Sequence, residues 1–567
     1  IPEGLPTVIT ITLSVGISNL AKKKTVVKQM QAVETLGAID IICSDKTGTI
    51  TQNKMSVNEE YILDENMLNY ICALCNDGLI YKDKYVGDPT ETCLYDYLYN
   101  KKLDPLKIRK KCKRILDIPF DSERKMFTTL NKIDNDIYIL CKGSMDSLIE
   151  KVNLTKSEKK NVLDKVKTLS KDALRTLGFA YKKINYIPKD IKELEKEEND
   201  LSFAGILGII DPPRESVKKS VLLCKNAGIR PIMITGDSID TATAIAKNVG
   251  IIDNDNEAML GSELDKYNDK ELKDIVKKYS VFARVNPSHK ERIVFALQNS
   301  GKIVAMTGDG VNDAPAIKDA HVGVGMGITG TDVTKSASDI VLMDDSFSTI
   351  VVAVEEGRRI YNNIRNNIVF SLSSNFAEIF TIVIGLLTKT TILLPIYILF
   401  IDLVTDSIPS ICLSFEKSED GIMNKKPRGI NKPLFTSFIK SCIASSAIIE
   451  TIFVVITYFI SLKIYGQETA MSLALLSMVV QEIVYSVSCR NLKQSVIKQG
   501  LFSNKAMNYG LLLILLIEFI VFVTPLGKLI SITSIDFALI LVVFLINLMS
   551  IFIYELIKPL LVRYFKD

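Results

Sequence analysis

The chain has 567 residues, of which 47% are hydrophobic and 24% are charged, and its formal net charge is +4. This length exceeds one ordinary domain core, so two or three domains are expected. The small net charge argues against a nucleic-acid partner, and the presence of only two histidines argues against a histidine-based metal site or triad.

Long apolar runs divide the chain into two parts. Residues 6–20 form one run, residues 22–365 are typical of a soluble α/β protein, and six further runs follow. These six cover residues 368–387, 391–415, 438–462, 472–487, 509–523 and 537–557. Most approach or exceed the roughly 20 residues that a helix needs to cross a bilayer. The shorter fourth and fifth are expected to extend into their polar flanks, which predicts a multi-pass protein of the lipid bilayer.

Lysine and arginine are concentrated in alternate loops of the second part. They lie between the second and third of the six runs, between the fourth and fifth, and after the sixth. The positive-inside rule then predicts that the soluble region, these loops and the C-terminus face the cytoplasm. Richness in Lys, Ile and Asn indicates an AT-rich genome, and therefore a bacterial plasma membrane.

The first chemical motif follows a predicted strand. Residues 38–44 are β-branched and loosely alternating, as in a buried strand, and they lead into Asp45-Lys46-Thr47-Gly48-Thr49. A carboxylate at the carboxyl end of a parallel strand lies where α/β folds bind ligands. Such an aspartate can attack the terminal phosphate of ATP and become an acyl phosphate, so Asp45 is the candidate nucleophile.

An insertion at about residues 58–201 carries aromatic and basic motifs. They are Gly87-Asp88-Pro89-Thr90-Glu91, Pro119-Phe120-Asp121-Ser122-Glu123-Arg124-Lys125 and Cys141-Lys142-Gly143. An aromatic face with cations suits a nucleotide, although Phe120 alone would also suit a core and Lys142 a solvated surface.

Two other features of the insertion have simpler interpretations. Cys72 and Cys75 form a C-x-x-C pair, but no second pair or histidine follows at zinc-site spacing, so we expect two reduced, buried thiols. The charge run at residues 189–200 predicts a solvated helix or linker.

Two later strands supply partners for Asp45. Residues 232–234 lead into Thr235-Gly236-Asp237, and residues 303–306 lead into Thr307-Gly308-Asp309-Gly310-Val311-Asn312-Asp313. Asp309 beside Asp45 could hold Mg²⁺ through oxygen ligands. Lys290 could neutralise the transferred phosphoryl group.

Polar groups within the apolar runs are candidate cation ligands, because they are costly in a bilayer. In chain order they are Glu3, Asn375, Glu378, Asp402, Thr405 and Asp406, with Glu482 as either a further ligand or an interfacial charge. Prolines around Glu3 interrupt a helix and free carbonyl groups. The spacings of the Asn375 and Asp402 groups predict two shared helix faces, which together would form an oxygen cage for a hard cation.

The combined motifs D-K-T-G-T, T-G-D, D-P-P-R (Asp211 to Arg214) and T-G-D-G-V-N-D resemble those of the P-type ATPases, and the resemblance covers essentially the whole chain. It implies a multidomain protein. The soluble part is an α/β, Rossmann-like haloacid-dehalogenase phosphorylation domain (21–57 and 202–350) that carries an α+β nucleotide-binding insertion (58–201). The remainder is a membrane helix (1–20), a stalk (351–366) and an all-α transmembrane bundle of six helices (367–567). It implies an ATP-hydrolysing translocase that works through an aspartyl phosphate.

The resemblance also implies a role for each matching residue. The catalytic set is Asp45, Lys46, Thr47, Thr235, Gly236, Asp237, Lys290, Asp309, Asn312 and Asp313, with Asp45, Thr47 and Asp309 around Mg²⁺. The ATP-binding set is Glu91, Phe120, Lys125, Lys142, Gly143 and Arg175.

The motif Pro2-Glu3-Gly4-Leu5-Pro6 and the two polar faces resemble type-two P-type ATPases, which carry Ca²⁺, or Na⁺ and K⁺. Pro6 favours the calcium pumps, whereas Asp402 and Ser414-Phe415-Glu416 favour the sodium/potassium branch. We expect Ca²⁺ export from the cytoplasm, with a Na⁺/K⁺-type pump as the alternative. Two alternatives of other classes are a membrane-anchored phosphatase of the same fold and a non-catalytic relic.

The family's protein is longer than this chain. No T-G-E motif of the family's actuator domain occurs, and the chain begins Ile1-Pro2-Glu3. We therefore expect an N-terminally truncated piece that binds ATP and phosphorylates Asp45 but does not turn over by itself. Upstream coding sequence with T-G-E would separate this interpretation from the relic.

Overall fold

The computed structural model describes residues 4–81, 84–121, 124–171, 174–429 and 433–565. Glu3, one of the predicted cation ligands, lies outside these ranges. The described residues form two large β-sheets, a small hairpin and a set of long apolar helices.

The strands within these ranges are β1 (Thr25–Val27), β2 (Ile41–Asp45), β3 (Ser56–Ile62), β4 (Leu79–Tyr81), β5 (Lys84–Val86), β6 (Lys113–Asp121), β7 (Met126–Ile133), β8 (Asp136–Gly143), β9 (Arg175–Ile184), β10 (Ser202–Ile210), β11 (Arg230–Ile234), β12 (Ala258–Leu260), β13 (Val281–Ala283), β14 (Val304–Gly308), β15 (Val322–Met326) and β16 (Ile340–Leu342).

The first sheet has eight strands in the order β1-β16-β15-β14-β2-β11-β13-β12. All neighbours are parallel except β1 and β16. Cys43 on β2 pairs with Ile232 on β11 and with Met306 on β14. Strands buried on both faces form continuous apolar runs, which is why the three strands predicted before the motifs are confirmed.

The second sheet is antiparallel, with the order β3-β10-β9-β8-β7-β6. Alternate residues of β8 contribute to two cores: Leu140 to one face, Ile139 and Cys141 to the other. The nucleotide-binding insertion was expected to end at residue 201. Strand β10 lies beyond that residue, yet it pairs with β3 and β9 and therefore belongs to this sheet.

The α-helices are α1 (Leu5–Lys22), α2 (Met30–Leu36), α3 (Glu65–Leu74), α4 (Pro89–Asn100), α5 (Pro105–Lys111), α6 (Met145–Leu148), α7 (Lys156–Lys171), α8 (Ile191–Lys196), α9 (Glu215–Asn226), α10 (Ile239–Val249), α11 (Gly261–Leu264), α12 (Asp269–Ile275), α13 (Pro287–Asn299), α14 (Ala314–Asp319), α15 (Asp332–Ala337), α16 (Phe347–Thr388), α17 (Pro395–Phe400), α18 (Ser407–Leu413), α19 (Ser437–Tyr465), α20 (Gln467–Ser488), α21 (Val496–Gln499), α22 (Lys505–Val523), α23 (Phe537–Leu548) and α24 (Ser550–Tyr564).

Seven spans within the described ranges are long and apolar enough to cross a membrane: α1, α16, Pro395–Leu413, α19, α20, α22 and Phe537–Tyr564. They agree with the seven predicted runs. The fourth and fifth of the later six extend into polar flanks, to Gln467 and Lys505, as expected. A wider π-helical turn, Ile401–Asp406, joins α17 to α18.

Helix α16 connects the two parts of the molecule. It runs without interruption for 42 residues. Its first turns pack in the core beside the parallel sheet, where Phe347 and Ile350 meet Leu36 and Val221. Its later turns contribute Val369 and Phe370 to the core of the membrane helices.

Candidate active site and cation site

Asp45 lies at the carboxyl end of β2, where Lys290 reaches it from α13. The Lys290 Nζ donates to Asp45 Oδ2 at 2.6 Å and to Asp313 Oδ1 at 2.6 Å. Asp313 also accepts a hydrogen bond from the Gly310 amide at 3.0 Å. Three predicted site residues from distant parts of the chain therefore meet around one ammonium group.

The electrostatics of this cluster keep the lysine charged. Burial lowers the pKa of Lys290, but the adjacent carboxylates of Asp45 and Asp313 outweigh burial, so its pKa is raised. Burial raises the pKa of Asp45, and the nearby Lys290 offsets that effect only in part. Opposite charges at this range favour the charged form of each partner.

The segment after Asp45 is held by the D-P-P-R motif. Gly48 has φ +73°, a conformation that favours glycine. Arg214 Nη2 donates to the Gly48 carbonyl at 2.7 Å and its Nε donates to the Thr51 carbonyl at 3.1 Å. Asp211 accepts from Thr51 Oγ1 at 2.5 Å and from the Lys54 amide at 3.2 Å. This motif therefore fixes the loop that follows Asp45.

The T-G-D segment follows β11 on the neighbouring side of the site. Thr235 is buried, and Gly236 is exposed with open space where a Cβ would lie. Lys46 Nζ and Asp237 Oδ2 form an ion pair at 2.5 Å. Lys46 is itself buried, so this pair connects the two strand ends beside Asp45.

Asp309 follows β14, on the other side of β2. A Cβ at Gly48 would lie 3.9 Å from Asp309 Oδ2, which places this carboxylate against the loop after Asp45. Burial and then the Asp45 charge raise the pKa of Asp309. The carboxylates of Asp45 and Asp309 repel each other and offer only oxygen atoms as ligands. Such a pair fits a hard divalent cation such as Mg²⁺.

The remaining predicted residues of this site, Thr47 and Asn312, have exposed side chains. The Thr47 amide donates to Asp45 Oδ1 at 3.4 Å. No group of three or more His, Cys, Asp or Glu side chains in an arrangement able to hold a metal ion occurs in the described part of the chain.

Asp345 is a positioning residue that the sequence interpretation missed. It is 1% exposed, and its carboxylate accepts from the amides of Gly327, Ile328 and Thr329 at 2.7, 3.0 and 2.7 Å. This loop leads to Thr331, whose amide donates to the Asp309 carbonyl at 3.0 Å. The available signal in the sequence was an acidic pair, Asp344-Asp345, that follows the apolar segment Ile340–Leu342.

The predicted nucleotide residues gather at one end of the antiparallel sheet. Strands β6 and β8 end there and β7 and β9 begin there. Phe120 is 61% exposed near the end of β6, and Lys125 and Arg175 are exposed at the starts of β7 and β9. The exposed ring and the two cations therefore surround one surface.

Glu91 and Lys142 form the buried side of that surface. Lys142 Nζ and Glu91 Oε1 lie 2.5 Å apart, and the same ammonium group lies 5.1 Å from the centre of the Phe127 ring. Glu91 Oε2 accepts from the Asp77 amide at 3.1 Å. A Cβ at Gly143 would lie 2.6 Å from Met126 Cγ and 2.7 Å from the Lys125 carbonyl, so this position has no room for a side chain.

The cysteines of the insertion are inert thiols. Cys72, Cys75 and Cys93 are all buried and free. Burial raises the pKa of Cys75 to about 12 and that of Cys93 to about 12. A thiol reacts as the thiolate, which these raised pKa values disfavour, and the expectation that Cys72 and Cys75 are buried is confirmed.

Glu482 lies inside the membrane bundle, where three helical spans meet. It is fully buried, and it accepts hydrogen bonds from Ser374 Oγ of α16 at 2.5 Å and from Thr405 Oγ1 of the π-helical turn. Glu378 of α16 is buried, and one of its carboxylate oxygens has no hydrogen-bond partner among the described residues. Asn375 donates to the carbonyl of Ser371 within its own helix at 2.8 Å.

Asp402, Thr405 and Asp406, which are predicted to share a helix face, lie on the π-helical turn Ile401–Asp406. Thr405 turns towards Glu482, whereas Asp402 and Asp406 line a cavity of about 200 Å³ between α1, α16 and the span Pro395–Leu413. Asp402 is exposed there and Asp406 is buried.

Two further carboxylates in the membrane helices were missed. Glu450 of α19 is fully buried and Glu518 of α22 is 6% exposed. Neither oxygen of either side chain has a hydrogen-bond partner among the described residues. The sequence did contain a signal for both residues, because each is an acidic residue inside an apolar run, where a charge is costly.

Comparison with known proteins assigns the chain to a class of membrane ATPases. Residues 390–560 match the family described as "Cation transporting ATPase, C-terminus", and residues 65–216 match "P-type ATPase, cytoplasmic domain N". Calcium-transporting ATPase 1 of Bacillus cereus is 39% identical over 98% of this chain and 67% of its own length.

Two other relatives agree. A calcium-transporting ATPase of Listeria monocytogenes is 39% identical over 89% of this chain and 60% of its own length. Calcium-transporting ATPase 1 of Saccharomyces cerevisiae is 34% identical over 91% of this chain and 59% of its own length. The chain therefore spans about three fifths to two thirds of the length of these relatives, and it belongs to the P-type cation-transporting ATPases.

Proposed function

We propose that the protein to which this chain belongs exports Ca²⁺ from the bacterial cytoplasm, driven by ATP through an aspartyl phosphate on Asp45. The observation that carries the proposal is the cluster of Asp45, Lys290 and Asp313 beside Asp309, at the carboxyl end of a parallel sheet. The relatives reported above are named as calcium-transporting ATPases, which supports Ca²⁺, and none of them is named for Na⁺ or K⁺ transport.

The phosphorylation chemistry is assigned to the end of β2, in a domain of haloacid-dehalogenase-like fold. Asp45 attacks the terminal phosphate of ATP, and the Lys290 ammonium group is placed to stabilise charge on the transferred group. The open space at Gly236 leaves room for phosphate oxygens. Asp45, Thr47 and Asp309 would hold Mg²⁺. Bound there together with substrate phosphates, this ion supplies charge neutralisation.

ATP is assigned to the end of the antiparallel sheet. The exposed Phe120 ring offers a stacking face for adenine, and Lys125 and Arg175 are free to approach the phosphates from the surface. The Lys142–Glu91 ion pair at 2.5 Å fixes the wall of the pocket. Gly143 lets the chain pass close to Met126 there.

The transported Ca²⁺ is assigned to the oxygens at the junction of α16, the π-helical turn and α20. Glu378 and Asp406 each have a buried oxygen without a partner in the described residues, and the cavity beside Asp402 and Asp406 gives space for an ion. Carboxylate and hydroxyl oxygens of Glu482, Thr405 and their neighbours are ligands that Ca²⁺ prefers. Glu3 remains part of the proposal on its sequence context alone.

The proposed orientation of the chain in the membrane follows from the positive charge of its loops. We assign the two sheets, the basic loops and the C-terminus to the cytoplasmic side, as the positive-inside rule predicts. Ions would then reach the carboxylates from the cytoplasm, and the phosphorylation state of Asp45 would shift the bundle between two openings.

The test is Ca²⁺ uptake into inverted membrane vesicles from cells that express the complete gene. ATP-dependent uptake is expected in the parent and absent in Asp406→Asn, because one buried ligand charge is lost. Asp420→Asn, an exposed acid in the loop after the same span, is the matched control and should retain uptake. Uptake that survives Asp406→Asn, or that requires Na⁺ instead of Ca²⁺, would contradict the proposal.

A further inference from the structure

A basic cavity of about 370 Å³ lies where the membrane helices meet the stalk part of α16. Its wall includes six cationic side chains: Arg358, Arg365, Lys425, Lys426, Arg428 and Lys493. None of the described residues that line it is acidic. The positive charges come from three separate segments, which are α16, the loop before α19 and the loop after α20.

Two of the six cations pair with an acid that does not itself line the cavity. Arg428 pairs with Glu34 at 3.2 Å and Lys425 pairs with Glu419. Lys426 is exposed and has no ion pair with a described residue. Lys426 adds this charge to a wall in which no described side chain is acidic, so the cavity is electropositive and attracts an anion.

The cavity lies at the depth of the membrane surface. Helix α19 begins at Ser437, directly after the lining residue Thr436, and α20 ends at Ser488, five residues before Lys493. Pro433 and Leu434 add apolar surface to the wall. A mixed basic and apolar wall at the ends of membrane helices matches a phosphate group attached to an apolar chain, and basic pockets of this kind bind anionic head groups.

The cavity also joins the membrane part to the parallel sheet. Arg358 donates to the carbonyls of Ile422 at 3.0 Å, Lys425 at 2.7 Å and Ala227 at 3.1 Å. Ala227 follows α9 and precedes β11, so one side chain holds the stalk, the loop before α19 and the sheet together. An anion beside this residue would stabilise that junction.

We propose that the basic cavity binds the phosphate group of an anionic ligand, either a phospholipid head group or free phosphate. Arginine and lysine are the side chains that recognise phosphate through charge-assisted hydrogen bonds. Arg428 is already positioned for this role, since its guanidinium group lies 4.1 Å from the Tyr361 ring centre. This site is separate from the Asp45 cluster and from the membrane carboxylates, and its occupancy does not depend on the transported ion.

The experiment is native mass spectrometry of the complete protein, purified in detergent and delipidated. It is titrated separately with dioleoylphosphatidylglycerol, dioleoylphosphatidylcholine and inorganic phosphate. The test variants are Lys426→Gln and the double variant Lys426→Gln/Arg428→Gln. The matched control is Lys417→Gln/Lys498→Gln, which removes two exposed charges from the same side without touching the cavity.

We expect saturable binding of phosphatidylglycerol over phosphatidylcholine. Each lost charge near a membrane surface weakens binding by about fivefold, so the double variant should lose about 25-fold and the control should not change. The same pattern with inorganic phosphate instead would support the proposal with free phosphate as the ligand.

Two results would overturn the proposal. The first is the absence of saturable binding of phosphatidylglycerol and of inorganic phosphate by the parent protein. The second is an equal loss in the test and control variants, which would mean diffuse attraction to surface charge. Lys426→Gln keeps the test valid if the double variant unfolds, because the Lys426 side chain is exposed.

Discussion

At the scale of single residues, the account depends on Lys290, which is buried between Asp45 and Asp313. Removing one partner of a buried charge cluster leaves uncompensated charge, at a cost of about 3–5 kcal/mol. Lys290→Ala should therefore lower the melting temperature and abolish labelling by ATP.

The control for this prediction is Lys302→Ala, because Lys302 is a half-exposed lysine 3.5 Å from Asp40 on the same sheet. It should lose at most about 1 kcal/mol and keep its labelling. Thermal unfolding and labelling are measured on both variants. Normal labelling of Lys290→Ala would remove Lys290 from the active site.

A second prediction concerns the thiols of Cys75 and Cys93, whose pKa values are raised by burial to about 12. The thiolate is populated only as the pH rises towards the pKa, so both remain protonated at pH 8. Iodoacetamide at pH 8 should leave them unmodified in the native protein and alkylate them in urea, as peptide mass mapping would record. Rapid alkylation without urea would contradict the buried placement.

At the scale of elements, a buried ion pair joins the end of the span Pro395–Leu413 to the loop after α20. Arg490 Nε lies 2.9 Å from Glu416 Oε2, and both residues are almost fully buried. Arg490 also donates to the carbonyls of Gly500 and Leu501 at 3.2 and 2.6 Å. This residue therefore ties together two connections of the bundle, the loop after α18 and the loop between α20 and α22.

Arg490→Ala should destabilise the protein by about 3–5 kcal/mol, because it leaves the Glu416 carboxylate buried and uncompensated. Arg490→Ala/Glu416→Ala should be less destabilised than the sum of the two single variants, since the charges are removed together. Denaturant unfolding in detergent measures both. The surface variant Lys498→Ala is the control, and additive single effects would refute the coupling.

Sequence periodicity was sufficient for the elements that dominate the fold. The strands before Asp45, Thr235 and Thr307 were predictable because strands buried on both faces are apolar throughout. The seven spans were predictable because the bilayer sets their length. Strand ends meet at one edge of a parallel sheet, so the approach of Asp309 to Asp45 was also expected, whereas Lys290 reaches Asp45 from helix α13.

Local winding and burial of charge were not predictable in the same way. The segment Ile401–Asp406 winds as a π-helical turn, which an α-helical period in the sequence could not reveal. Glu198 lies in the charge run expected to be solvated, yet it is fully buried and accepts from Arg124 at 2.8 Å and Lys151 at 2.9 Å. Both outcomes depend on tertiary contacts that a single sequence does not display.

At the scale of the whole molecule, α16 is the physical connection between the phosphorylation chemistry and the membrane carboxylates. Its first part packs on the core of the parallel sheet, and its later part carries Ser374 and Glu378. At Gly357 the helix touches Gly37 so closely that a Cβ would lie 2.7 Å from the Gly37 amide nitrogen. A shift at the sheet can therefore reach Ser374 and Glu378, in the proposed cation site, through one continuous helix.

The most direct test of the central proposal is phosphoenzyme formation from radiolabelled ATP by the complete gene product in membranes. Ca²⁺ and Na⁺ are varied separately, and Asp45→Asn provides the blank. The account predicts an acid-stable label that requires Ca²⁺ and disappears in Asp45→Asn. A label that is independent of Asp45, or that forms with Na⁺ and without Ca²⁺, would contradict it.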